Sequence, residues 1–334
     1  MKVVVAAPNG PDEEWARLME VGHEVVFGQI DRNAGGRLSD GELIELCQGA
    51  DLLVSLHVSP QVIEALPELT TIVGNAVGTE KIAIETATAN NVLVCHSPSR
   101  ENVIGVAEAS IGMMLALTKR VKRKEARLRG GEWGQRIDRG FLMWEKTVGL
   151  IGLGRTGGGV ARRLMGWDLE VLGYDPYVGQ ERFDQLGVKR VDLQTLLSQS
   201  DFVSMHVVIT PETTKMIDEA ALRSMKPTAY LVNTSRGEAV DEDAVCKAIT
   251  GDWIAGVALD TFDPEPLPQD SPLRDLDEER VILTPHNVAA SEASRMGNQQ
   301  LAMENAIAVL GGKLPHQYIK NAEVLPTWRG HGRY

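Results

Sequence analysis

Val148-Gly149-Leu150-Ile151-Gly152-Leu153-Gly154-Arg155-Thr156-Gly157 runs an apolar stretch straight into a G-x-G-x-x-G loop. Val160-Ala161-Arg162-Arg163-Leu164-Met165 follows with a helical pattern. A second apolar stretch, Leu169–Tyr174, then ends at Asp175. Strand, glycine loop, helix, strand and acid, in that order, form the dinucleotide fingerprint with its required context. Gly152 permits the tight turn, Gly154 lets the backbone approach a diphosphate, and Gly157 lets helix and strand pack closely. The diphosphate is expected on the free N–H groups of the helix N-terminus. Asp175 suits the adenosine ribose hydroxyls and repels a 2′-phosphate, which favours NAD over NADP. Gly158 and Gly159 are a puzzle, since each glycine in a helix interior costs about 1 kcal/mol relative to alanine.

Outward from this loop the chain alternates strand-like and helix-like runs, the pattern of parallel α/β sheets. Before it, strands are expected near Val3–Ala7, Glu24–Phe27, Leu52–Leu56, Thr71–Gly74 and Val92–Cys95, with helices such as Glu13–Val21 and Gly41–Gln48 between them. A long helix is expected over Val103–Leu128. After it, strands are expected at Val148–Ile151, Glu170–Tyr174, Val188–Val191, Phe202–His206, Ala229–Asn233, Ile254–Leu259 and Val281–Leu283. A last helix, Ala290–Leu310, stops at Gly311-Gly312. The tail Asn321–Tyr334 is polar, carries Pro326, Gly330 and Gly332, and reads as an extended arm.

The 334 residues suffice for two domains. A formal charge of −12 argues against nucleic acid or an anionic membrane, because little basic surface is left to release counterions. The one basic run, Lys119–Lys124, reads as the charged end of a helix. No apolar stretch reaches the roughly 18 residues of a membrane span, and the Ile104–Leu117 run is interrupted by Glu108, Ser110 and Gly112. The first residues read as a strand rather than a signal peptide. Cys47, Cys95 and Cys246 lack metal-ligand spacing and fit a reducing cytoplasm.

Ligands of such sheets bind at the carboxyl ends of the strands. Those ends hold Asp175, His206, Asn233-Thr234-Ser235-Arg236-Gly237, Asp260 and Thr284-Pro285-His286, few of them apolar. The glycine loop, Asn233–Gly237 and the order Asp260, Glu265-Pro266, Thr284-Pro285-His286 together resemble the D-isomer-specific 2-hydroxyacid dehydrogenase family, over essentially the whole chain. The resemblance implies two doubly wound α/β domains. A Rossmann NAD domain, 102–288, would be inserted into a flavodoxin-like substrate domain made of 1–101 and 289–334.

The same resemblance assigns roles. Arg236 would hold the substrate carboxylate and polarise the C2 oxygen, a task suited to a permanently charged, bidentate guanidinium. His286 would give a proton to that oxygen, and Glu265 would hydrogen-bond His286 and favour its charged form. Nothing calls for a metal, because the arginine supplies the electrophile. Arg155 and Thr156 would give backbone N–H groups to the diphosphate, and His206, Val207, Thr234, Ser235, Asp260 and Ala289 would join the glycine loop, Asp175, Arg236 and His286 around NAD. The Asn75-Ala76-Val77-Gly78 loop would bind the substrate carboxylate through its backbone. The plain alternatives are a surface arginine, a solvated glutamate between prolines and a strand-end histidine. His57 is read first as structural, with substrate contact as the open alternative.

Val208, Thr261 and Ala289 depart from the family at packing positions. The Asn75 loop is one residue short, and Asn75 stands where phosphoglycerate-oxidising members carry a phosphate-binding arginine. Val54–Pro60 has no Arg or Lys, which leaves Arg100, Arg136 and Arg139 as phosphate donors. The expected activity is therefore hydride transfer between NAD(H) and a small D-2-hydroxy or 2-oxo acid of the glyoxylate or hydroxypyruvate type. D-3-phosphoglycerate is the alternative substrate. An NADH-sensing, corepressor-like binding protein is the alternative of another class, weakened by the lack of a long low-complexity tail. A formate-dehydrogenase-like enzyme would carry glutamine in place of Glu265. The Val103–Leu128 helix with Trp133 and Trp144 looks like the family's dimer-forming segment, so a homodimer is expected.

Overall fold

The computed structural model describes residues 1–6, 15–28, 37–133, 139–330 and 332. Ala7, the start of the Glu13 helix and Arg136 lie outside the described residues. The chain divides into two compact units, Met1–Asn102 with Ser291–Tyr334, and Val103–Ala290.

The first unit alternates β1 (Lys2–Val5), α1 (Ala16–Glu20), β2 (Glu24–Phe27), α2 (Asp40–Leu46), β3 (Leu52–Val54), α3 (Pro60–Ala65), β4 (Thr71–Val73), α4 (Ile84–Ala89) and β5 (Leu93–Cys95). The sheet is wholly parallel, in the order β2-β1-β3-β4-β5. Its strands are apolar on both faces, as burial on both faces requires. Val3, Val5, Leu52 and Val54 enter one core, whereas Val4, Leu53 and Val94 enter the other. The two-residue period of a strand makes that division.

Helix α5 (Arg100–Lys119) leads into the second unit and is followed by α6 (Val121–Arg129). The single helix expected over 103–128 is thus two. The break falls at Arg120, whose φ of 52° lies in the left-handed region. No glycine or proline marks it in the sequence. The second unit continues with β6 (Thr147–Ile151), α7 (Arg155–Leu164), β7 (Glu170–Tyr174), α8 (Gln180–Leu186), β8 (Lys189–Arg190), α9 (Leu193–Gln199), β9 (Phe202–Met205), α10 (Glu219–Ser224), β10 (Tyr230–Asn233), α11 (Glu242–Thr250), β11 (Gly256–Leu259) and β12 (Val281–Leu283). The parallel order is β12-β11-β10-β9-β6-β7-β8, so the chain reverses direction across the sheet between β6 and β9. That reversal is the switch point where ligands of doubly wound sheets bind. Leu231 and Val257 face one core while Val232 and Ala258 face the other.

Helix α12 (Glu292–Leu310) returns the chain to the first unit, where Ala302, Ala306 and Val309 join its core. The tail is not a free arm. Ile319 pairs with Cys95, and the Asn321 side chain bonds both Val94 N–H and the Val92 carbonyl. Trp328 is buried and donates its indole N–H to the Thr70 carbonyl at 2.8 Å. Arg329 covers the carbonyls of Leu66, Pro67 and Leu69. Polar composition concealed this strap because its anchors are few and its partners lie far away in sequence.

Candidate active site

The glycine loop leaves β6 in a geometry open only to glycine at two positions. Gly152 has φ of 90°, and a Cβ there would collide with the His206 carbonyl. A Cβ on Gly157 would collide with the Gly152 carbonyl. Gly154, by contrast, faces open space, and no side chain caps the helix that starts after it. Uncapped N–H groups and a clear approach suit an anion. Gly159 lets α7 pack against α5, where its Cβ would lie 3.2 Å from that of Ala107.

Asp175 ends β7 beside this loop. One carboxylate oxygen accepts from Leu153 N–H at 2.8 Å and the other from Tyr177 N–H at 2.9 Å. It borders an open hollow of about 650 Å³ that Tyr174, Pro176, Arg190 and Thr195 also line. A helix N-terminus, a fixed acid and a hollow of this size fit a dinucleotide.

His206 lies beneath the loop. Its Nε2 is 3.0 Å from Ser204 Oγ, its Nδ1 is buried, and burial pushes its pKa down to about 4. A neutral imidazole therefore supports the loop, with Gly157 packed close over its edge. Val207 packs near Gly152.

Three further loops meet at the ends of β10, β11 and β12. The Asn233 side chain accepts from Ser235 N–H and Oγ–H and donates to the Arg236 carbonyl, which builds the turn that presents Arg236. The Ser235 hydroxyl is thus turned inward, and its carbonyl accepts from Arg236 Nη1 at 2.7 Å. The Thr234 hydroxyl lies 2.8 Å from that of Ser110. Gly237 then passes so close to Phe262 that any Cβ would collide with the Phe262 backbone. Phe262 N–H in turn donates to Glu265 at 3.1 Å. Glycine at 237 therefore brings the arginine turn against the loop that carries the glutamate.

His286 closes the arrangement. Its Nδ1 lies 2.9 and 2.8 Å from the two Glu265 oxygens. Its backbone is left-handed, with φ of 51°, a conformation that costs a non-glycine residue about 1–2 kcal/mol. Asp260 holds it there. This buried carboxylate accepts, on one oxygen, from the Thr284 hydroxyl at 2.6 Å, Asn287 N–H at 3.0 Å and Val288 N–H at 3.1 Å. Sequence reasoning placed Asp260 at the cofactor and missed this second task, because its partners lie across β12. Ala289, just beyond, is half-buried.

In the first unit the Asn75–Gly78 loop is held from one side. The Ala76 carbonyl accepts from Ser97 N–H, and the Val77 carbonyl lies 2.9 Å from His96 Nδ1. Trans peptide geometry then points the following N–H groups, those of Val77 and Gly78, the other way. Asn75 Oδ1 is buried with no partner among the described residues. His57 titrates low because of burial and then the nearby charges of Lys81 and Arg37. Cationic side chains therefore do approach the Val54–Pro60 segment, although none lies within it. Arg100 and Arg139 are exposed.

Residues 111–288 match the model of the NAD-binding domain of D-isomer-specific 2-hydroxyacid dehydrogenases. The chain belongs to this family. It is 39% identical over 290 residues to a glyoxylate reductase of Korarchaeum cryptofilum, covering 85% of this chain and 86% of that one. It is 35% identical over 296 residues to a D-3-phosphoglycerate dehydrogenase of Methanocaldococcus jannaschii, covering 87% of this chain but 55% of that longer one. The crystal structure of the TT0316 protein of Thermus thermophilus superposes with a TM-score of 0.80 at 30% identity, covering 94% of this chain and 98% of that one. The protein is thus an NAD-dependent oxidoreductase acting between D-2-hydroxy acids and 2-oxo acids. Among the described residues, no helix is long and apolar enough to cross a membrane, and no three His, Cys, Asp or Glu side chains gather as metal ligands.

Proposed function

We propose that the protein reduces a small 2-oxo acid of the glyoxylate or hydroxypyruvate type to its D-2-hydroxy acid, with Arg236, Glu265 and His286 as catalytic residues. The pairing of His286 Nδ1 with Glu265 carries this reading. It has Nδ1–H donate to the glutamate carboxylate and leaves Nε2 to hold the proton that the C2 oxygen receives. NADH, when bound, supplies the hydride. Arg236 binds the carboxylate and polarises the C2 oxygen, with its guanidinium anchored on the Ser235 carbonyl. The outward N–H groups of the Asn75–Gly78 loop serve the substrate carboxylate. Arg155, Thr156 and Asp175 serve the diphosphate and ribose.

Similarity to two archaeal glyoxylate reductases at 39 and 40% identity supports the small substrate. D-3-phosphoglycerate is the second reading, favoured by Lys81 and Arg37 near His57. We assign the protein to the cytoplasm, in keeping with three unpaired cysteines. We also assign it a homodimeric state. Leu128, Trp133, Leu142 and Trp144 are all exposed large apolar side chains in one segment, and a second copy would cover them. Light scattering that finds a monomer at micromolar concentration overturns that assignment.

An NADH-oxidation screen over glyoxylate, hydroxypyruvate, pyruvate and 3-phosphohydroxypyruvate tests the substrate. Turnover of none of them sinks the proposal. Arg236→Ala and His286→Ala should each abolish turnover and leave NADH binding, read by fluorescence, nearly intact.

A further inference from the structure

Arg182, on α8, reaches back to the glycine loop. Its Nε donates to the Leu153 carbonyl at 3.1 Å and its Nη2 to the Gly154 carbonyl at 3.0 Å. Two donors in one rigid plane thus meet two consecutive carbonyls, a match that a guanidinium makes and an ammonium does not. The same contact accounts for Gly158. A Cβ there would collide with Arg182 Nη2 and lie 3.3 Å from Cζ. Helix α7 accepts a glycine in its interior where the arginine must pass.

The consequence lies on the opposite side of the loop. In a trans peptide, the carbonyl and the following N–H point in opposite directions. Holding the carbonyls of Leu153 and Gly154 toward Arg182 turns the N–H groups of Gly154 and Arg155 away from it. Arg155 is the first residue of α7, so its N–H is among those with no intrahelical partner. Leu153 N–H, meanwhile, is taken by Asp175. Side chains therefore fix both polar backbone groups of Leu153, and the loop enters binding already oriented.

We propose that Arg182 is a positioning residue for the cofactor. It sets the plane of the Leu153–Gly154 peptide and, together with the Gly158 N–H that also reaches the Gly154 carbonyl at 3.1 Å, that of the next one, so that the Gly154 and Arg155 N–H groups face the NAD diphosphate alongside that of Thr156. It also adds a positive charge beside that helix terminus. This rests on the reading that the diphosphate sits on the Gly152–Gly157 loop. It concerns a residue outside the G-x-G-x-x-G sequence and the acid that follows.

The full-length protein, titrated with NADH, ADP-ribose and adenosine, tests it. Arg182→Ala should weaken NADH and ADP-ribose by roughly tenfold, the size of one charge-assisted hydrogen bond, and leave adenosine unchanged. KM for NADH should rise while kcat holds. Gly158→Ala keeps the arginine but blocks its path, so it should reproduce the pattern, and the double variant should be no worse than either single one. Arg182→Lys should restore only part of the ADP-ribose affinity. Unchanged NADH and ADP-ribose affinity in Arg182→Ala, or an equal loss for adenosine, overturns the proposal. If Arg182→Ala does not fold, Gly158→Ala decides by the same readout. Gly157→Ala separates the two readings, because normal NADH affinity in that variant would overturn the loop assignment itself.

Discussion

Glu265 accepts from Phe262 N–H on the same carboxylate that faces His286 Nδ1 at 2.8 Å. The glutamate is therefore held by its own turn before it holds the histidine. Loss of the carboxylate should cost the proton-transfer contribution of an oriented acid, roughly a hundredfold in kcat or more. Glu265→Ala should show that loss with NADH affinity unchanged. Equal kcat and an unaltered pH profile would remove Glu265 from the mechanism.

Asp260 is expected to matter as much as Glu265 although it lies behind the histidine. Asp260→Ala strands a hydroxyl and two backbone N–H groups that now share one oxygen. Each bond to a charged acceptor is worth about 1.5–3 kcal/mol. Urea unfolding should report a loss of several kcal/mol, and kcat should fall with it. A stable Asp260→Ala enzyme with normal kcat would show that the His286 loop holds its shape unaided.

Stability should fall on mild acidification through His206. Burial puts its folded pKa near 4, against 6.5 when exposed. Above pH 6.5 both states are neutral and the native state keeps its full advantage. As pH drops from 6.5 toward 4 the unfolded chain takes up the proton first, so stability is lost by about 3 kcal/mol in all. Denaturation midpoints across that window should flatten in His206→Gln. An equally steep dependence in the variant would assign the effect elsewhere.

Asp175 should govern the choice between NADH and NADPH. Its carboxylate is fixed by Leu153 and Tyr177 at the edge of the hollow. Asp175→Ser removes the negative charge that opposes a 2′-phosphate. The ratio of kcat/KM for NADPH over NADH should rise by about tenfold or more, one like-charge contact at this range. No change in the ratio would locate cofactor choice at another residue.

Much of this was legible in the sequence because it is local. The doubly alternating strands, the glycine loop and the polar residues at strand ends are patterns within a few residues of one another. What escaped reading depends on distant partners. Gly158 looked like a defect until Arg182 supplied its reason, and Gly237 gains its meaning only from Phe262. Asp260 belongs to the His286 loop through bonds that cross a strand. Arg120 breaks a helix with no glycine or proline to announce it. Trp328 turned a polar tail into part of the core through one indole and its contacts.

The strap has a bearing on how the molecule is made. Residues 103–290 form a continuous unit and can fold as soon as they leave the ribosome. The unit that contains β1 cannot. Its strands wait for α12, Asn321 and Trp328, which are synthesised some two hundred residues later. The nascent chain must therefore carry a half-covered, apolar first sheet through most of translation. Chaperone demand should fall on that early segment rather than on the nucleotide-binding unit.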